Sequence, residues 1–277
     1  MRAMTPGDDG NALTEYERRA LRELYDWKHP PETVWSRNAD RVEEIFEQIA
    51  SRLPTKLIDE LFERSMPILN RAANLTAPEA LILATYRRRG HANVRSLDHI
   101  AALSLEDVEG VAGTKRLREI LKGISEGGFA GFYGAPGAVA DVPALLGLAL
   151  RNVNVFAYSY GFDPSTEEQR AYILSVIAAS AAVGTKAKKV TRAAIAFGEK
   201  AAGREIVQQL LERLPRQLIG RLTAMNTSKV APIAGAVTGA AFNGWFLRSV
   251  AVHARFAYRQ RFLERRHGPE LLEAYGL

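Results

Sequence analysis

The chain has 277 residues, of which 47% are apolar and 25% are charged, a balance typical of a folded protein with a substantial core. It contains no cysteine, which excludes disulfides, thiolate metal sites and cysteine nucleophiles. The formal net charge of +6 favours anionic partners, either nucleic acid or a membrane surface, and it also fits a mildly basic cytosolic protein. The first residues lack the apolar segment of a signal peptide, so we expect a cytoplasmic location.

The first part of the chain has the apolar periodicity of amphipathic helices. Apolar residues at spacings of three and four run from Leu13 to Trp27, which predicts a helix. Thr14 and Glu17 predict a capping box at its start, and His29-Pro30-Pro31 predicts its end. No segment alternates with the period of two that a strand requires. Similar helical stripes follow in residues 42–53, 57–62, 76–90 and 96–113.

These patterns predict an all-α protein, a single-domain multi-helix bundle with a Gly/Ala-rich apolar core. The helical domain is expected to cover residues 13–266. Within it, residues 13–122 form an amphipathic front and residues 123–266 form a more apolar back. Residues 1–12 are expected to be a flexible N-terminus, and residues 267–277 a C-terminal tail.

Two stretches carry small residues at every fourth position. The first contains Gly123, Gly127 and Gly131, and the second contains Gly235 and Gly239. Small side chains on one helix face allow two helix backbones to approach closely, so we predict that these faces pack against each other. The alternative for the first stretch is a Gly-rich loop, because each interior glycine costs a helix up to about 1 kcal/mol. Its glycine spacing does not match a phosphate-binding loop.

A further helix is predicted from Asp141, its N-cap, to Gly161, with Pro143 in the first turn. This segment is apolar on all sides except for Arg151 and two asparagines. A guanidinium in such a segment must reach an interface or pair with a carboxylate. We expect the partner to be Asp163 or a glutamate from another segment.

Basic residues concentrate in two clusters close to apolar segments, and the second cluster is interleaved with aromatic residues. Such a pattern is typical of contact with an anionic lipid surface, although RNA phosphates or a solvated helix face fit it as well. The apolar segments are short or interrupted for a bilayer span, so we expect peripheral attachment at the inner membrane face, with integral insertion as the alternative. The cluster residues are Lys186, Lys188, Lys189, Arg248, Arg255 and Arg259.

Signatures of catalysis or metal binding are missing from the sequence. The five histidines lack the His-Glu-x-x-His spacing of a zinc site, and there is no Gly-x-Ser-x-Gly elbow. We therefore predict no catalytic residue, metal or cofactor. The alternative function is that of a hydrolase-like enzyme with a buried polar site around Asp141, Arg151 and Asp163.

Three stretches resemble the EcsC protein family: LTEYERRALRELYDWKHPP, ADVPALLGLALRNVNVFAYSYGFDPSTEEQR and PIAGAVTGAAFNGWFLRSVAVHARFAYRQRFLE. The resemblance extends from about Leu13 to Arg266, and its middle stretch is the most specific. One departure is YGAPG before Asp141, where members often have a double glycine followed by aliphatic residues. The matching motif positions are Asp141, Pro143, Leu150, Arg151, Tyr160, Gly161, Asp163 and Asn243.

The resemblance implies a bacterial, cytoplasmic-side, membrane-linked helical protein and implies no reaction. The family takes its name from the third gene of an operon that also encodes an ABC transporter, with links to protein secretion. We expect a non-enzymatic accessory protein whose partner is anionic lipid or a membrane protein such as an ABC transporter. Nucleic acid is a less favoured partner, and a homo-oligomer joined through glycine faces is a further alternative.

Overall fold

The computed structural model describes residues 13–31, 34–72, 79–113, 142–184, 204–227 and 239–277. These ranges contain eleven helices and no strand, so the predicted all-α class is confirmed. The helices are α1 (Glu15–Lys28), α2 (Val34–Ser51), α3 (Thr55–Ala72), α4 (Glu79–Arg88), α5 (Leu97–Ala101), α6 (Leu105–Ala112), α7 (Val142–Ser159), α8 (Glu167–Ser180), α9 (Arg204–Thr227), α10 (Gly239–His267) and α11 (Pro269–Ala274).

The first helix begins and ends where its sequence predicts. The Oγ1 of Thr14 accepts a hydrogen bond from the backbone N–H of Glu17 at 3.1 Å. In return, the Glu17 carboxylate accepts one from the backbone N–H of Thr14 at 2.9 Å. Both bonds satisfy N–H groups that have no partner within the helix. The helix ends at Lys28, directly before the His29-Pro30-Pro31 segment.

The seventh helix lies at the centre of the fold. It packs against α3, α4, α6, α8, α9 and α10, as expected for a helix that is apolar on all sides. Pro143 occupies its first turn, as predicted. A Cβ added to Gly147 would lie 3.0 Å from a side-chain methyl of Ile68, so glycine allows α3 to approach closely at this position.

Gly161 ends this helix. Its φ of +75° lies in the left-handed region, which glycine adopts without strain. A Cβ at this position would lie 2.8 Å from the carbonyl oxygen of Leu97, which leaves no room for a side chain. The predicted end of the helix at Gly161 is therefore confirmed, and the glycine is required both by its backbone angle and by its neighbour.

A continuous hydrophobic cluster joins the front and back of the chain. It extends from Ala20 in α1 through α7 to Leu272 in α11. Leu272 is buried, so the segment that the sequence suggests as a tail contributes a side chain to the core. The apolar faces of the amphipathic front helices therefore pack against the more apolar back helices.

Most of the predicted glycine faces lie outside the described residues. Gly123, Gly127, Gly131 and Gly235 belong to segments that are not described, so their mutual contact stays a prediction. Gly239 is the first residue of α10. Among the described residues, none of the helices combines the length and the apolar character needed to cross a bilayer.

Candidate functional site

The long helix α10 carries the arginines that the sequence assigns to an anionic surface, and the structure divides them between two faces. Arg248 is exposed, and Arg255 lies between the two faces, because it is exposed and also reaches Glu109 inside the protein. Arg259, only 1% exposed, points into the protein. The two faces have different chemistry.

The inner face of α10 forms a buried ion-pair network around Glu109 of α6. Arg259 Nε donates to Glu109 Oε1 at 2.5 Å, and Arg259 Nη2 donates to Oε2 at 2.7 Å. This two-pronged geometry matches the planar guanidinium to the carboxylate. Tyr160 OH donates to Oε1 at 2.9 Å, while Tyr16 OH and Arg255 Nη2 donate to Oε2 at 2.8 and 3.1 Å. We call these five residues the charged junction.

The environment of the charged junction fixes its protonation. Burial alone would raise the pKa of Glu109, but the hydrogen bonds and charge of Arg259, with Arg255 and Tyr16, outweigh burial and lower it to about 2. Burial and the Glu109 charge raise the pKa of Tyr160 and of Tyr16. Near neutral pH the carboxylate is therefore ionised and both phenols stay protonated as donors.

Arg259 also contacts the first helix. Its Nη1 donates to Glu23 Oε2 at 2.7 Å and to the backbone carbonyl of Ala20 at 3.4 Å. Every nitrogen of this guanidinium therefore bonds to protein oxygen. The prediction that Arg259 contacts an anionic surface is wrong, because carboxylates on α1 and α6 occupy the groups that a lipid phosphate would need.

Arginines near the end of α10 bind backbone carbonyl groups of other segments. Arg265 donates to the carbonyl groups of Tyr160 and Gly161 at 2.9 and 3.1 Å, and its guanidinium lies 4.2 Å from the Phe162 ring centroid. Arg266 donates to the carbonyl of Leu103 at 2.7 Å. Carbonyl groups at helix ends lack partners within the helix, so these cations stabilise the end of α7 and the turn before α6.

The end of α10 is also tied to the start of α1. His267 Nε2 lies 3.0 Å from Glu17 Oε1, and Arg266 Nε lies 3.5 Å from the same oxygen. Burial would raise the pKa of Glu17, but hydrogen bonds from His267 and Thr14 outweigh burial and lower it. The acidic residue of the capping box therefore also holds the two ends of the fold together.

The outer face of α10 presents a mixed aromatic and basic surface. Trp245, Arg248, Val252 and Arg255 are all exposed, and their spacing of three, four and three residues places them in one line along the helix. Trp245 is 39% exposed and Val252 is 42% exposed, both large fractions for apolar side chains. We call these four residues the exposed stripe. Indole rings and guanidinium groups together are typical of side chains at a membrane–water interface.

The motif residues that the resemblance selects lie in different environments. Tyr160 is buried and belongs to the charged junction. Asn243 is buried on α10, and its Oδ1 has no hydrogen-bond partner. Asp163 is exposed, and its carboxylate accepts a hydrogen bond from the backbone N–H of Ser165 at 2.9 Å. Asp141 lies outside the described residues.

Arg151 does not pair with Asp163. Its Nε is buried and makes no hydrogen bond, and no carboxylate within the described ranges forms an ion pair with it. The polar site around Arg151 and Asp163 is therefore not assembled in the part of the chain that is described. The basic cluster of Lys186, Lys188 and Lys189 lies outside that part, so its role stays a prediction.

Sequence reasoning missed the charged junction, although one signal for it was available. Glu109 follows Leu105 by four residues and Val108 by one, which places it beside the apolar face of a short amphipathic helix. An acidic residue there must be exposed at the edge of the face or paired inside the core.

No group of three metal-binding side chains occurs among the described residues.

The fold and the charged junction define an all-helical protein whose long helix α10 is joined to α6 by a buried ion pair, with Tyr16 of α1 bonded to the same carboxylate. The chain belongs to the EcsC protein family, whose model matches residues 18–263, so the predicted resemblance is confirmed. It is similar to the uncharacterized protein YdbA of Bacillus subtilis (strain 168), with 22% identity over 262 residues, covering 88% of this chain and 92% of that protein. No solved structure matches the chain.

Proposed function

We propose that this EcsC-family chain is a non-enzymatic accessory protein that binds the anionic surface of the cytoplasmic membrane face through the exposed stripe. The observation that carries the proposal is the line of Trp245, Arg248 and Val252 on one face of α10. The net charge of +6 acts in the same direction, because it attracts the whole chain to anionic surfaces.

The composition of the exposed stripe predicts weak and reversible attachment. A cationic side chain near an anionic leaflet contributes about 1 kcal/mol of binding free energy. On α10, Arg248 can contribute fully and Arg255 only in part, because Arg255 also pairs with Glu109. Arg259 contributes nothing, because it is buried and paired with Glu109. The indole of Trp245 adds apolar contact at the level of the headgroups. Binding is expected to weaken with added salt, since ions screen surface charges. Lys186, Lys188 and Lys189 are proposed as a second basic contact.

The chemistry of the charged junction supports the non-enzymatic part of the proposal. A general base needs a pKa near the working pH and a free lone pair directed at substrate. The pKa of Glu109 is about 2, and both its oxygens already accept hydrogen bonds from arginine and tyrosine. This carboxylate is thus suited to holding helices together and poorly suited to accepting a proton.

Vesicle flotation tests the proposal directly. The purified chain is mixed at low salt with vesicles of phosphatidylcholine containing phosphatidylglycerol, and with vesicles of phosphatidylcholine alone. We expect flotation only with the anionic vesicles, and its loss in the double variant Trp245→Ala/Arg248→Gln. The matched control is Arg64→Gln, which removes an exposed arginine of α3 and should float as wild type does.

Two outcomes would contradict lipid binding by the exposed stripe. If the wild-type chain does not float with anionic vesicles at low salt, the lipid proposal is wrong. If the chain binds native membrane vesicles but not pure lipid, and protease treatment of the vesicles abolishes the binding, the partner is a membrane protein. An ABC transporter is the candidate that the family resemblance suggests.

A further inference from the structure

A half-open cavity of about 110 Å³ lies between four helices, away from the charged junction. Each helix contributes one leucine to its wall: Leu69 from α3, Leu150 from α7, Leu174 from α8 and Leu211 from α9. Among the described residues, the polar side chains that line it are Arg170 and Asn154. Of the polar site that the sequence suggests, the described residues Arg151 and Asp163 do not line this cavity.

The guanidinium of Arg170 gives the cavity its polarity. Its Nε is buried and makes no hydrogen bond. Glu167 and Glu168 are close in sequence but exposed, and no described carboxylate forms an ion pair with Arg170. A buried N–H without an acceptor costs about 1–3 kcal/mol, and more when the group is charged. An anionic ligand in the cavity would supply the counter-charge that this guanidinium does not find among the described carboxylates.

We propose that this cavity binds a monocarboxylate with a short unbranched apolar tail. The carboxylate accepts hydrogen bonds from the guanidinium of Arg170, and the tail lies among the four leucines. An engineered apolar cavity of about 150 Å³ holds benzene, so a cavity of this size encloses a tail of about four to six carbons. The open side leaves room for the polar head. This inference does not depend on membrane binding.

Titration calorimetry with hexanoate tests the proposal on the full chain. Acetate carries the same charge without the tail, and 1-hexanol carries the tail without the charge. We expect hexanoate to bind at least about tenfold more tightly than 1-hexanol, because a charge-assisted hydrogen bond contributes about 1.5–3 kcal/mol and 1.4 kcal/mol is tenfold. We expect at least the same advantage over acetate, because hexanoate has four more methylenes and each buried methylene contributes about 0.8 kcal/mol. Each variant named below counts as folded when its circular dichroism spectrum and its melting temperature equal those of the wild type.

Three variants locate the site. Arg170→Gln should lower hexanoate affinity by about tenfold or more, since it removes the cation. Leu211→Trp should abolish binding by filling the cavity from its partly exposed side. Arg213→Gln is the matched control, because it removes the same charge from α9 two residues away from Leu211, on the opposite face, where it is exposed. Its affinity should equal that of wild type.

Several results would contradict the proposal. It is overturned if folded wild-type chain does not bind hexanoate, or if Arg170→Gln or Leu211→Trp binds it as wild type does. Should either variant fail to fold, a hexanoate analogue with a diazirine in its tail can be photolysed with wild-type chain. Labelling of peptides from α8 and α9 supports the site, and labelling confined to other helices overturns it.

Discussion

Replacing Glu109 by glutamine keeps the shape of the side chain but removes the charge that neutralises Arg259. The amide oxygen can still accept hydrogen bonds from one side of the charged junction. The amide NH₂ then faces Tyr16 OH and a guanidinium nitrogen, which are donors as well. A buried cation without its counter-charge, next to opposed donors, predicts a large loss of stability.

The magnitude of this loss follows from two independent arguments. The pKa of Glu109 falls from 4.5 to about 2 on folding, which corresponds to about 3 kcal/mol in favour of the ionised folded state. Removing one partner of a buried ion pair costs about 3–5 kcal/mol in general. We expect a loss of this size, which lowers Tm by about 6–20 °C because 1 kcal/mol corresponds to about 2–4 °C in a chain of this size.

Urea unfolding followed by circular dichroism measures the loss. Glu60→Gln is the control, because it breaks an exposed ion pair with Arg64 and should cost under about 0.5 kcal/mol. The double variant Glu109→Gln/Arg259→Met should lose less than the sum of the two single losses, since the buried guanidinium of Arg259 is then no longer present without its counter-charge. A Glu109→Gln chain as stable as the control variant would refute the reasoning.

Three further predictions concern pH and the helix ends. Because the pKa of Glu109 is lowered in the folded chain, the wild type should lose stability as pH falls from about 4.5 towards 2. The Glu109→Gln variant should lose less stability over the same range. Urea midpoints measured between about pH 5 and pH 3 give the pH dependence of stability for both chains. Gly161→Ala should lower the free energy of unfolding by at least about 1–2 kcal/mol, because of its positive φ and the contact with Leu97. The control is Gly244→Ala, at an exposed helix position with open space around it. In thermal unfolding it should be neutral or stabilise the chain by up to about 1 kcal/mol. Thr14→Ala should cost about 1 kcal/mol by losing the cap, and a urea midpoint equal to that of wild type would mean that the capping box is dispensable.

Helix ends were predictable because their causes are local. Thr14 and Glu17 lie within one turn, and both bonds of the capping box form between them. Gly161 ends α7 through its own backbone angle. The sequence of α7, apolar on all sides except for Arg151 and two asparagines, likewise predicted a helix with these bounds. In each case the residues that decide the structure are neighbours in the sequence, so the pattern contains the cause.

The role of Arg259 was not predictable in this way. Arginines interleaved with aromatic residues on one helix look alike whether they face lipid or carboxylate. The carboxylate that draws Arg259 into the core belongs to Glu109, which lies 150 positions earlier in the chain. Its second partner, Glu23, lies 236 positions earlier. The cavity at Arg170 was unpredictable for the same reason, because its walls come from four helices that only the folded chain brings together.

The bonds between α1 and α10 have a consequence for biosynthesis. His267 and Glu17 are 250 positions apart, so a growing polypeptide exposes the acidic groups of α1 and α6 long before their cations leave the ribosome. Until then, the apolar faces of the early helices lack much of their cover and are substrates for chaperones. We therefore expect a chain whose translation stalls before Arg255 to lack the cations of the charged junction and to be more readily proteolysed than the full chain.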